Sequence, residues 1–146
     1  MKKQLTIYEL LRDHPTNNDA ILSFQSITNK KSSLLTKNKI ASLSYGDLRK
    51  NIKQTIIDLN NFGIGRNDKI AIVLPNGPEM ATAFLSIACA ATAAPLNPSY
   101  TLDEFKFYLS DLNAKALVVM ENSKSLAIQA AIQKNIVILY LSIKTS

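Results

Sequence analysis

A parallel α/β fold is predicted for this 146-residue chain by three features that agree with one another. The runs "IAIVL" at 70–74, "ALVVM" at 116–120 and "IVILY" at 136–140 are apolar at nearly every position, as strands covered on both faces are. Segments with helical spacing and helix-start residues lie between them. Four strands alternating with three helices then argue for right-handed βαβ units in a partial doubly wound parallel sheet flanked by helices.

The elements follow in order. Thr6 and Glu9 have capping-box spacing, which predicts a short helix over 7–14. A turn through Pro15, Asn17 and Asn18 leads to a strand over 20–25, a lysine-rich surface loop over 28–39 and a short strand over 40–43. Ser44 with Asp47 opens a long helix whose Leu48, Ile52, Ile56 and Leu59 form one apolar face. Gly63 supplies its stop, because glycine tolerates the left-handed conformation at a helix C′ position. Then come a strand over 69–74, a helix over 77–91, a short strand over 92–96, a helix over 102–112, a strand over 116–120, a helix over 124–133 and a strand over 136–141. Asn76 with Glu79 and Thr101 with Glu104 repeat the capping box. Residues 1–43 thus lead into a helix and βαβ units over 44–142, all within one domain.

Composition narrows the function classes. Hydrophobic residues make up 47% of the chain and charged residues 19%, which excludes a disordered chain. The net charge is +6, but only Arg12, Arg49 and Arg66 are arginines. The one concentration of charge, Lys30, Lys31, Lys37 and Lys39, has no aromatic residue inside it, so no nucleic-acid partner is expected. The uncharged run 80–102 contains Pro95, Asn97 and Pro98 and offers too few helical residues to cross a bilayer. With no signal peptide and a single cysteine, a cytoplasmic location is expected.

Catalytic equipment is sparse. Gly63 and Gly65 end a helix and precede a strand, the reverse of a dinucleotide fingerprint. Asn76, at a strand-to-helix handover, could face a ligand, but capping explains it as well. His14, the only histidine, sits at a helix end beside Pro15, where the helix dipole favours it. Cys89 falls in the most apolar helix and reads as a small core residue with a raised pKa. Asp103 and Glu104 suit a helix N-terminus. No catalytic or metal-binding residue is therefore assigned.

Taken together, "LSYGDLRKNI" and "FGIGRNDKIAIVLPNGPEMATAFLSIACAATAAPLNPSYTLDEFKFYLSDLNAKALVV" strongly resemble the N-terminal lobe of AMP-forming acyl-CoA synthetases. That family includes coumarate–CoA, oxalate–CoA and fatty acyl-CoA ligases, and the resemblance covers about residues 5 to 142. It implies a two-step reaction, in which ATP and a carboxylic acid give an acyl-adenylate that CoA converts to a thioester. It also implies that ATP, Mg2+ and CoA serve the complete enzyme, while no cofactor is expected for this chain alone. The family's phosphate loop, ribose-binding acid and C-terminal lysine correspond to positions after Ser146. Asn97 and Pro98 are the exception: the resemblance places them at a wall of the channel for the pantetheine arm of CoA.

The chain reaches Ser146 five residues after its last strand, and an apolar edge strand invites pairing. The expectation is a catalytically incomplete piece of an acid–CoA ligase, partnered by the remainder of the ligase or by self-association of the edge strand. The alternatives are a non-catalytic interaction or small-ligand-binding α/β module and, more weakly, a flavodoxin-like receiver or nucleotide domain.

Overall fold

The computed structural model describes residues 6–25 and 39–142, so most of the expected lysine-rich loop lies outside the described residues. Helix α1 (Ile7–Arg12) precedes strands β1 (Asp19–Gln25) and β2 (Lys39–Ser44), which pair as an antiparallel hairpin. Helix α2 (Tyr45–Asn61) leads into β3 (Lys69–Val73), α3 (Pro78–Ala88), β4 (Thr92–Pro95), α4 (Leu102–Asp111), β5 (Ala116–Met120), α5 (Leu126–Gln133) and β6 (Val137–Leu141). The last four strands form one parallel sheet in the order β4-β3-β5-β6. The predicted α/β class and parallel sheet are both observed.

Alternation along the strands divides the core into two layers. Ile70, Ile72, Leu74, Ala116 and Val118 face α2 and α3, where they pack with Leu59, Ala83 and Ile87. Ala71, Val73, Leu117 and Val119 face α4 and α5, where Phe105, Leu109, Ala127, Ala130 and Ala131 close over them. Burying the Phe105 ring completely contributes roughly 2–3 kcal/mol. Strand β6 departs from the expectation of two-sided burial: its residues are half-buried or exposed, because β5 is its only partner among the described residues. Pro95, which cannot donate to a ladder, ends β4 on the other edge, where strands tolerate proline.

Three helices end in the same way. At α2 the Gly63 N–H donates to the Asn60 carbonyl (2.9 Å) and the Ile64 N–H to the Leu59 carbonyl (2.9 Å). Gly63 has φ +70°, and Ile64 drops into the core. Asn113 (φ 50°) and Asn135 (φ 54°) repeat that geometry after α4 and α5. All three are Schellman stops, in which a left-handed residue lets two backbone N–H groups satisfy the last carbonyls. Gly63 was legible as a stop; the asparagines carry the same signal in a weaker form, since asparagine is the commonest non-glycine residue there.

The segment between α1 and β1 is tied to α2 by its polar backbone. Tyr45 N–H donates to the Asn18 carbonyl and Gly46 N–H to the Thr16 carbonyl, both at 2.9 Å. These are helix-start donors that have no partner within the helix. The Arg49 guanidinium donates to the carbonyls of Leu11 (2.9 Å) and His14 (3.1 Å) and to Thr16 Oγ1 (3.1 Å). A Cβ on Gly46 would collide with Thr16 Cγ2, whereas one on Gly63 would meet nothing within 4 Å.

The two glycines are therefore needed for different reasons. Gly63→Ala should cost about 1 kcal/mol through backbone strain alone, and Gly46→Ala about 1–3 kcal/mol through overpacking. Urea unfolding of the double variants separates the two causes. Thr16→Ser, which removes Cγ2, should recover part of the Gly46→Ala loss and none of the Gly63→Ala loss. Equal recovery in both would contradict the steric account.

Candidate functional site

Crossing from β3 through α3 leads to one face of the sheet, and crossing from β5 through α5 leads to the other. Because β3 and β5 are neighbours, their connections part beyond their C-terminal ends, between residues 74–77 and 121–125, which is where the topology puts a crevice. Open α/β sheets bind ligands at such a point. Here the crevice is modestly equipped. Asn76 is exposed, and its side chain makes no hydrogen bond among the described residues. Ser123 Oγ accepts from the Ser125 N–H at 3.2 Å, and Glu121 N–H donates to the Leu141 carbonyl at 3.0 Å.

The structure corrects the expected cap on α3. Gly77, not Asn76, is the N-cap residue, and no side chain caps this helix. Pro78 occupies the first helical position, where it has no N–H to satisfy and its fixed φ suits the helix. Glu79 Oε2 curls to within 3.3 Å of where a Gly77 Cβ would sit, so the glycine makes room for the carboxylate that the box spacing had assigned to Asn76. The other boxes form as expected. Thr6 with Glu9 and Thr101 with Glu104 are reciprocal. Ser44 caps α2 by accepting from Asp47 N–H at 3.1 Å, while Asp47 Oδ2 takes the Ser44 hydroxyl at 2.9 Å.

Asn97 and Pro98 lie just after β4, exposed, at the same end of the sheet as the crevice. Asn97 Oδ1 accepts from the Ser99 N–H at 2.9 Å, and its carbonyl accepts from Tyr100 N–H at 3.2 Å. This Asx turn is a local reason for asparagine at that position. Behind it Tyr100 stacks on Tyr108 (centroids 4.9 Å apart) and meets Phe105 edge-on at 5.7 Å. A hydrogen bond with Tyr108 pushes the Tyr100 phenol pKa up. The connection is rigid and walled by aromatic rings, but it carries no acid–base pair.

The remaining candidates fall into structural roles. His14 lies two residues past α1, its ring stacked on Tyr45 at 4.3 Å. Cys89 caps α3 at its C-terminus, half-buried, and desolvation raises its thiol pKa. Asp68 accepts from the Gly65 N–H (2.8 Å) and from Lys115 Nζ (3.1 Å), which hold its carboxyl below the usual range at the N-terminal end of the sheet. Among the described residues no group of three or more His, Cys, Asp or Glu side chains could hold a metal ion, and no helix is long and apolar enough to cross a membrane.

One concave feature among the described residues has no counterpart in the sequence pattern. A groove of about 1100 Å³ runs between α2, α3 and the face of β5 and β6. Leu59, Ala83, Ile87, Val118, Leu139 and Leu141 make it mainly apolar, and Asp47, Lys50, Asp58 and Glu79 stand among its polar lining. Ser86 also lines it and is 2% exposed, and its Oγ has no hydrogen-bond partner. A buried hydroxyl left unpaired costs about 1–3 kcal/mol. No periodicity reveals such a groove, since it arises from the spacing of elements distant in sequence.

The family model described as "AMP-binding enzyme" matches residues 24–145. The chain belongs to that family. Among its relatives, it is 44% identical over 75 residues to a probable CoA ligase of Humulus lupulus, a match covering 51% of this chain and 14% of that protein. It is 42% identical over 74 residues to an oxalate–CoA ligase of Arabidopsis thaliana, covering 50% of this chain and 14% of that protein. Among solved structures, VinN in complex with 3-methylaspartate shares the fold with a TM-score of 0.69 at 16% identity, over 92% of this chain and 34% of that one. Apo MatB of Rhodopseudomonas palustris does so with a TM-score of 0.59 at 20% identity, over 67% of this chain and 20% of that one. The chain thus spans about a seventh of the length of the two plant relatives it matches.

Two predictions concern stability. Ser86→Ala removes the orphan hydroxyl and improves helix propensity, so it should stabilise the chain by about 1 kcal/mol in chemical unfolding; a loss would mean that the hydroxyl has a partner. Glu104, held below its ordinary pKa by the Thr101 backbone N–H and hydroxyl, adds stability that is present above the unfolded-state pKa and disappears as pH falls through the lowered one. The stability gap between the natural chain and Glu104→Gln should therefore be open at neutral pH and shrink below about pH 4. A gap independent of pH between 7 and 3 would contradict this.

Proposed function

We propose that this chain is the leading part of an AMP-forming acid–CoA ligase, competent in catalysis only together with the rest of the enzyme. The observation that carries the reading is the pairing of a family match over most of the chain with plant CoA-ligase relatives of which it spans 14%. In the complete enzyme a substrate carboxylate oxygen attacks the α-phosphorus of ATP and pyrophosphate departs. The CoA thiolate then attacks the acyl carbonyl and AMP leaves.

The residues on this chain do not fit a nucleotide–metal site. The chain has four glycines, too few for a glycine-rich phosphate cradle, and Glu9, Asp47, Asp68 and Glu104 are engaged in helix caps or a turn. What the chain contributes is a scaffold: a sheet end that carries the connections following β3, β4 and β5. In this reading Asn97 and Pro98, fixed by the Asx turn, form part of the wall along the CoA arm, and the enzyme works in the cytoplasm.

The test is ATP–pyrophosphate exchange by the purified 146-residue chain with Mg2+ and a panel of carboxylic acids that includes oxalate, run beside thermal unfolding of the same sample. Exchange no higher than a matched blank, with a cooperative melt, is expected. Reproducible exchange above the blank would refute catalytic incompleteness.

A further inference from the structure

Asn76 and Gly77 make up the one Asn–Gly step in the chain. Both are exposed, and residues 74–77 belong to no helix or strand as the backbone bends from β3 to α3. Among the described residues the Asn76 side chain makes no hydrogen bond and the Gly77 N–H donates none. An amide nitrogen that follows asparagine attacks the side-chain Cγ only if its proton is free to leave and its approach is open. Gly77 meets both conditions, since it has no Cβ and its backbone adapts at little cost. The structure withholds them elsewhere. Ala114, Ser123 and Ile136, which follow Asn113, Asn122 and Asn135, each donate the N–H to a carbonyl at 2.9–3.0 Å. Pro98, which follows Asn97, has no N–H at all.

We infer that Asn76 is a site of covalent self-modification, at which the backbone of Gly77 converts the side-chain amide to an acid. The Gly77 nitrogen gives up its proton to solvent and bonds to Asn76 Cγ. The bond from Cγ to the amide nitrogen breaks, and that nitrogen takes a proton from water and leaves as ammonia. A five-membered succinimide remains. Water, the one co-reactant, then opens it at either carbonyl. Attack at the side-chain carbonyl restores the ordinary backbone with aspartate at position 76. Attack at the backbone carbonyl gives isoaspartate, in which the chain runs through the side chain and is longer by one methylene. Both products place a carboxylate one residue ahead of the Gly77 N-cap, at a helix start that no side chain caps and where the helix dipole favours negative charge. The result is a slow, one-way change of charge where the connections after β3 and β5 part. It stands apart from the ligase reading and does not rest on it.

The test is to age the 146-residue chain in warm, mildly alkaline buffer, with and without urea, and to follow each asparagine by peptide mapping and mass spectrometry. Conversion at Asn76 should be at least tenfold faster than at any other described asparagine of the folded chain, and isoaspartate should appear together with aspartate. Because the fold leaves this step unrestrained, the rate at Asn76 in the folded chain should lie within tenfold of the rate in urea. Gly77→Ala, measured in urea so that folding plays no part, should slow conversion at least tenfold. No conversion at Asn76, or a folded chain slower than its urea-unfolded form by more than tenfold, would overturn the inference. Aspartate without isoaspartate, or a smaller effect of Gly77→Ala, would rule out the succinimide route. The comparison of folded with unfolded chain uses the natural sequence alone, so it decides the structural claim whatever any variant does.

Discussion

Strands β3 and β5 are covered on both faces, and most of the structure answers that one requirement. Ile70, Ala71 and Ile72 are inaccessible to solvent, as are Ala116, Leu117 and Val119. Strands in this position can leave no backbone group unpaired, so β3 is flanked by β4 and β5, and β5 by β3 and β6. They also need a helical layer on each side, which parallel strands with right-handed crossovers deliver. The helices that lead into β3, β5 and β6 end abruptly, and Gly63, Asn113 and Asn135 end them by the same left-handed turn.

Polar chemistry is pushed to the periphery as a result. Capping boxes hold helix starts, Arg49 gathers the loop ahead of α2, and the Asp68–Lys115 pair staples the N-terminal end of the sheet. Each of these polar groups is used to finish a backbone. Asn76 is exposed after β3, and Ser86 is buried in the groove wall with its Oγ unpaired. The segment matched in the Humulus lupulus relative is 14% of that protein's length.

Legibility varied with how local the cause was. Thr101 and Glu104 were readable because a capping box involves four consecutive positions. The cap on α3 was misread for a related reason: Asn76 with Glu79 has the correct spacing, but Pro78 at the first helical position moves the start by one residue and hands the cap to Gly77. Asn113 and Asn135 are stop signals of the same local kind, weaker than glycine because an asparagine side chain is also common in turns and caps. Asn97 stands out only through the family resemblance, yet the bond its Oδ1 accepts from the Ser99 N–H is a purely local turn.

The sequence by itself determined the α/β class, the identity of the strands and helices, and the family. Each rests on residue periodicity or on motifs a few residues long, and those persist whatever the rest of the chain does. The order β4-β3-β5-β6, the crevice where the connections part, the groove beside β6 and the unpartnered Ser86 hydroxyl were decided only by tertiary structure. Strand pairing uses backbone groups common to nearly every residue, so it leaves little trace in side-chain pattern. A groove exists only once α2, α3 and β6, separated by long stretches of chain, have been placed side by side.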